Sequence, residues 1–214
     1  MTGQLQVPRV KVCGLRRLEE VEAAVAAGAD AIGLVAVPQS VRCIEALAAR
    51  ELVRALPPGV RSIAVFVDAS PAEVAIWLEE SGASAVQLCG SEEIQQWIGF
   101  QVPILRRVAV REGAHEELER WRGIASGFVL DHPSSAGGSG ALVDVELAHA
   151  LCARAPCVLA GGLDATNVAE RIRRVVPRGV DASSRLENFP GRKDQAQIRN
   201  FVLAARAAFA EYQP

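Results

Sequence analysis

The sequence predicts an α/β fold, a single (βα)8 TIM barrel with a parallel eight-stranded core, and three observations predict it. Short β-branched apolar runs alternate eight times with longer segments rich in Ala, Leu, Glu and Arg. The 214 residues suit eight such units closed on themselves, whereas an open doubly wound sheet rarely needs eight units in so short a chain. No linker, low-complexity tract or charge run divides the chain, so residues 1–214 are read as one domain.

The first strand is "RVKVCGL" (9–15), followed by a helix over 18–28 that ends at Gly28 of "AAGAD", a glycine placed to cap it. "AIGLVAV" (31–37) is the second strand, with a helix over 44–56. "RSIAVFVD" (61–68) is the third, and "SPAE" starts the next helix, 71–81. Ser70 stands at its N-cap, Pro71 at its first position and Glu73 where a capping box closes. "AVQLCG" (85–90) and a helix over 91–99 come next. "ILRRVAV" (104–110) is unusually charged for a barrel strand and leads to a helix over 115–123. The last three strands are "GFVLDH" (127–132), "CVLAGG" (157–162) and "GVDASS" (179–184). Their helices cover 144–154, 166–175 and an Ala-rich 194–211 that ends near Tyr212.

Half of the residues are hydrophobic, enough for a large core. A formal charge of −2 offers no basic excess for nucleic acid, and no apolar run of about 18 residues offers a membrane span. "MTGQLQVP" lacks a basic start followed by an apolar stretch, so a cytoplasmic location is expected. Five scattered cysteines without a CxxC pair, and three separated histidines, predict neither a disulfide framework nor a metal site.

A barrel gathers functional residues at the C-terminal ends of its strands. Those ends hold Cys13, the loop 38–42, Asp68, Cys89, Val110, Asp131, Gly161–Gly162 and Asp181–Ser184. "LAGGLDATN" and "VDASSRLE" follow strands seven and eight, where glycines and serines let backbone amides approach a phosphate; a tight turn is the plainer reading of either alone. Asp131 in "VLDHPSSAGGSG" is placed either to act as a general acid or to satisfy loop amides. His132 should point to the other face, and glycine-rich 137–140 suits a lid or a plain connection. Arg42 suits a carboxylate or is a solvated charge. Cys13 alone reads as a small buried hydrophobe; at a strand end opposite Asp131, with Arg16 and Arg17 near to favour its thiolate, it suits proton transfer beside an imine or carbonyl.

Taken together, "VKVCGL", "AAGADAIG", "VFVDASPAEV", "AVQLCG", "VLD…GGSG", "VLAGGLDATNV" and "GVDASSRLE…PGRKD" resemble the phosphoribosylanthranilate isomerase family of tryptophan biosynthesis, in order from about residue 9 to 206. The resemblance implies a cofactor-free Amadori rearrangement of a small phosphorylated substrate by a monomer or homodimer. It makes Cys13 the general base and Asp131 the general acid. It places Arg42 on the anthranilate carboxylate, Gly161, Gly162, Ser183 and Ser184 on the phosphate, and Asp181 near Cys13 and the ribose hydroxyls. The chain departs from the family pattern at Cys89, where His is usual, at "VPQSVRC" in the second loop, and at Ala141, where Lys is common. Arg185 stands where a glycine would meet the phosphate, either adding a charged contact or crowding it. The departures at Cys89, Ala141 and Arg185 motivate a second reading, a non-catalytic binder of phosphosugars; a third is an isomerase for another phosphorylated aminoaldose, against which stands the single clear phosphate site.

Overall fold

The computed structural model describes residues 7–133 and 141–211. Eight parallel strands close into a barrel in sequence order, with β8 pairing back onto β1. They are β1 (Val10–Cys13), β2 (Ala31–Val35), β3 (Arg61–Phe66), β4 (Ala85–Leu88), β5 (Ile104–Ala109), β6 (Gly127–Asp131), β7 (Cys157–Leu159) and β8 (Gly179–Ala182). The helices are α1 (Leu18–Ala27), α2 (Ala46–Arg54), α3 (Pro71–Ser81), α4 (His115–Arg120), α5 (Val145–Cys152), α6 (Val168–Val175) and α7 (Gln195–Glu211).

Strand alternation sorts side chains into two environments. Val10, Val12, Ile32, Leu34, Phe66 and Leu88 face outward and join the large core beneath the helices. Ala31, Ile63, Ala85, Leu105, Val129 and Val158 face inward and fill the barrel. Cys13, Val35 and Val65 form a separate small apolar layer towards the mouth. Local signals act where expected: the Ser70 hydroxyl and the Glu73 carboxylate cap α3 reciprocally, and Gly28 ends α1 at φ 98°.

The segment 91–99, expected as a helix, is only a 3-10 turn over Ile94–Trp97. Its Glu92 is drawn inward as a tertiary anchor, accepting from the backbone N–H groups of Asp68 (3.1 Å) and Gly90 (3.0 Å) and from Arg106. Gly99, at φ 80°, then turns the chain away. The charged β5 is explained by the same parity. Arg106 faces outward and is buried, pairing with Glu92 and Glu117 and lying 4.9 Å over the Trp121 ring. Arg107 faces inward and lines the mouth.

A two-stranded antiparallel ribbon after β8 was not anticipated: β9 (Glu187–Phe189) and β10 (Arg192–Lys193). The Pro190–Gly191 dipeptide between them is the turn signal that marks it. Buried Glu20 ties this ribbon to the end of β1: one carboxylate oxygen accepts from Arg16 N–H (2.8 Å) and the other from Lys193 N–H (3.1 Å).

Candidate active site

A cavity of about 550 Å³ opens at the C-terminal ends of the strands. It brings together Cys13, Arg42, Asp131, Gly161, Gly162, Asp181, Ser183, Ser184 and Arg185, the residues given catalytic or substrate-binding roles from the sequence. Asp68 and Val110, also read as strand ends, do not line it. Asp68 instead adopts φ 54° and accepts the Ser91 N–H at 2.5 Å, bracing the neighbouring loops. The stretch 137–140 lies outside the described residues.

Cys13 ends β1 beside Gly33 of β2. A Cβ at position 33 would stand 2.5 Å from Cys13 Sγ and 3.0 Å from its Cα, so the thiol occupies room that only glycine leaves. Gly33→Ala is expected to displace the sulfur, costing about 1–3 kcal/mol of stability and roughly 100-fold in turnover. Paired denaturation and rate measurements check both numbers.

Two residues below Cys13 on the same strand, Lys11 is completely buried, its Nζ 2.6 Å from Asp181 Oδ2. The other oxygen, Asp181 Oδ1, is buried and meets no hydrogen-bond donor among the described residues. Burial pushes the Asp181 carboxyl up, and Lys11 opposes it. Burial also pushes the Cys13 thiol up, again against Lys11. This corrects the expectation that Arg16 and Arg17 favour a thiolate. Arg16 Nη1 donates to the Val41 carbonyl (3.0 Å), and Arg17 reaches Glu19 at 4.0 Å on the surface. The cations that act on Cys13 are Lys11 and Lys193.

Cys89 lies across the mouth, accepting a hydrogen bond from Gln87 Nε2 at 3.2 Å, and burial pushes its thiol up to about 12. The sign of the stability effect follows. Above about pH 8.5 an unfolded thiol ionises while the folded one keeps its proton, so this contribution is neutral below that pH and destabilising above it. At pH 10 the loss from Cys89 is about 2 kcal/mol. Cys89→Ala should shrink the difference in unfolding free energy between pH 8 and pH 10 by that amount, measured by urea denaturation.

Arg42 reaches the cavity already paired: its Nε and Nη2 donate to the two oxygens of Glu187 at 2.7 and 2.8 Å. Lys193 Nζ, also buried, donates to the same carboxylate (2.5 Å) and to the carbonyl (3.1 Å) and hydroxyl (3.2 Å) of Ser183. Burial alone would raise the Glu187 carboxyl, but the hydrogen bonds from Arg42 and Lys193 outweigh it and hold the group below its ordinary range. Gly14, at φ 77°, passes beneath this cluster; a Cβ there would stand 2.7 Å from Arg42 Cδ. Ser183 Oγ donates to the Cys13 carbonyl at 3.0 Å, fixing the β8 loop to the end of β1. On the neighbouring loop after β7, Gly161 and Gly162 take φ 82° and 64°, and Asn167 Nδ2 pins the Gly162 carbonyl at 2.9 Å.

Lys11, Glu187, Lys193 and Arg107 were missed from the sequence, although Glu187 and Lys193 lie inside the quoted "SSRLE…PGRKD". The parity of "VKVC" was the available signal for Lys11, since it sets Lys11 and Cys13 on one face.

Fold and mouth together define the class: a (βα)8-barrel enzyme equipped to move protons on a small anionic substrate. The family model for N-(5'phosphoribosyl)anthranilate (PRA) isomerase matches residues 10–204. The chain belongs to that family. It is 41% identical to the N-(5'-phosphoribosyl)anthranilate isomerase of Pseudomonas paraeruginosa, covering 93% of this chain and 95% of the relative. The isomerase of Pelobacter propionicus is 38% identical, with coverages of 95% and 98%. Among solved structures, that of the Thermotoga maritima enzyme superposes with a TM-score of 0.86 at 33% identity, covering 94% of this chain and all of the other. A phosphoribosyl anthranilate isomerase in complex with reduced 1-(o-carboxyphenylamino)-1-deoxyribulose 5-phosphate superposes at 0.83, with the same identity and coverage. A further similar structure, at 32% identity and a TM-score of 0.83, shows monomers generated from the dimeric Thermotoga maritima enzyme; it covers 94% of this chain and all of the other. No helix among the described residues is long and apolar enough to cross a membrane.

Proposed function

We propose that this protein catalyses the Amadori rearrangement of N-(5'-phosphoribosyl)anthranilate to 1-(2-carboxyphenylamino)-1-deoxyribulose 5-phosphate in tryptophan biosynthesis. The observation that carries the reading is the placement of Cys13 and Asp131, at the ends of β1 and β6, on one cavity between Arg42 and two Gly/Ser loops. In this scheme Asp131 gives its proton to the furanose oxygen, the ring opens, and the anthranilate nitrogen forms an imine at C1. Cys13 then removes the proton from C2 to give the enaminol, and protonation of C1 with loss of the C2 hydroxyl proton turns it into the aminoketose. Every bond broken or formed is balanced by proton transfer alone, so the scheme calls for no cofactor.

The other groups hold the substrate. Asp181 Oδ1, buried without a donor, suits a ribose hydroxyl beside Cys13. Arg42 keeps one guanidinium edge committed to Glu187 and is offered to the anthranilate carboxylate. Gly161, Gly162, Ser183 and Ser184 cradle the phosphate, with exposed Arg185 adding charge at its rim. The reading includes one catalytic domain, acting as a monomer or homodimer in the cytoplasm.

The test is fluorescence-monitored consumption of freshly made phosphoribosylanthranilate by the purified protein. Turnover excludes the non-catalytic binder suggested by Cys89, Ala141 and Arg185. Tight binding of a product analogue without turnover would favour that binder. Turnover of a histidine-pathway aminoaldose, and none of phosphoribosylanthranilate, would favour the other isomerase.

A further inference from the structure

Asp131 stands where β6 ends, and both of its carboxylate oxygens are held. Oδ1 accepts the N–H of His132 at 2.8 Å, and Oδ2 faces Arg107 Nε at 3.3 Å. The same guanidinium reaches one residue further, its Nη2 donating to the His132 carbonyl at 2.9 Å. Arg107 therefore grips the carboxyl and the backbone beyond it at once. It is set inward on β5, paired in register with Val129, one turn of the pleat below Asp131. Both side chains are mostly buried, at 13% and 17% exposure, and both line the cavity.

The geometry points to Arg107 as the positioning residue for Asp131: it fixes the carboxyl in the orientation that meets the substrate's ring oxygen and stabilises the carboxylate left when the proton departs. This rests on Asp131 being the general acid. The proton moves from the Asp131 carboxyl to the ring oxygen as the C1–O bond breaks; Arg107 gives up no proton and does not touch the reacting atoms. Orientation matters because a displacement of about 1 Å at a reacting group can cost roughly 100-fold in rate. A free carboxyl at a strand end could rotate about χ1 and χ2, whereas the fork to Asp131 and His132 removes that freedom.

The other charged and titratable groups around the mouth are Cys13 and Lys11 on β1, Arg42 after β2, Cys89 after β4, His132 beside Asp131, Asp181 on β8, and Arg185, Glu187 and Lys193 beyond it. Among the described residues, Arg107 is the cation paired with the Asp131 carboxyl.

The experiment is a double-mutant cycle of Arg107→Met and Asp131→Asn, with Arg107→Lys as the charge-conserving variant and circular dichroism to confirm folding of each. Expected are a loss of about tenfold or more in kcat with KM little changed for Arg107→Met, and partial recovery in Arg107→Lys. In the Asp131→Asn background, Arg107→Met should cost almost nothing more. Additive losses, or a loss confined to KM, would overturn the assignment of Arg107 while leaving Asp131 as the acid. Substantial activity in Asp131→Asn alone would overturn the reading of Asp131 itself. If Arg107→Met does not fold, the cycle and the split between kcat and KM are read from Arg107→Lys and Arg107→Gln instead.

Discussion

Cys13→Ser should lower kcat by about 1,000-fold while leaving the unfolding midpoint nearly unchanged. The oxygen is smaller than the sulfur it replaces and adds no bulk, so the small layer with Val35 and Val65 and the space above Gly33 are disturbed little. What changes is basicity and the ease of forming the anion. A hydroxyl does not ionise in the range where a thiol does, and Lys11 and Lys193 cannot close that gap. In the wild-type protein burial keeps the resting thiol protonated. Its thiolate, once formed beside Lys11, is correspondingly a stronger base towards a carbon-bound proton. The measurement is turnover of phosphoribosylanthranilate alongside a thermal melt. A Ser variant that turns over like the wild type would remove Cys13 from the chemistry. One that fails to fold would instead show that the thiol's packing dominates.

The largest expected effect on stability belongs to Lys11. Its side chain is fully enclosed and 2.6 Å from an Asp181 that is itself buried. Lys11→Met keeps the volume and removes the charge, leaving a carboxylate inside the barrel without its cation. Breaking one side of such a pair costs about 3–5 kcal/mol, which for a chain of this size lowers the midpoint by roughly 10 °C. Replacing both partners behaves differently, because two apolar groups of similar shape leave no charge stranded. Lys11→Met with Asp181→Leu should therefore melt well above Lys11→Met alone. Calorimetry of the two variants and the wild type checks the order. The double variant would be stable but inactive, since it has lost Asp181 Oδ1, the unpartnered oxygen at the cavity floor. A pair kept in spite of its desolvation cost is consistent with a functional rather than a stabilising purpose.

The alternation of short apolar runs with helical segments was enough to place all eight strands, and with them which residues end up at the mouth. Chain parity does this work: β-strand ends meet on one face of a closed parallel barrel whatever the side chains in between. That is why Cys13, Asp131 and the 161–162 and 181–184 stretches, up to 171 positions apart, could be assigned to one pocket before any contact was known. Strong local codes were equally legible, as the Ser70 capping box and the Gly28 cap show, because they depend on a few adjacent residues.

Only the tertiary structure decided who pairs with whom. Whether Arg42 is a lone cation or half of a fork with Glu187 depends on where a ribbon 145 positions away returns to the mouth. The electrostatics of Cys13 were misassigned for the same reason: Arg16 and Arg17 are neighbours along the chain, but the loop turns them to the surface, while Lys11 and distant Lys193 reach the thiol. Glu92 left its expected helix because a buried Arg106 needed a carboxylate. Periodicity and backbone chemistry are local and can be read along the chain. Desolvated charges are satisfied across it, by whichever partner the closed barrel brings within reach.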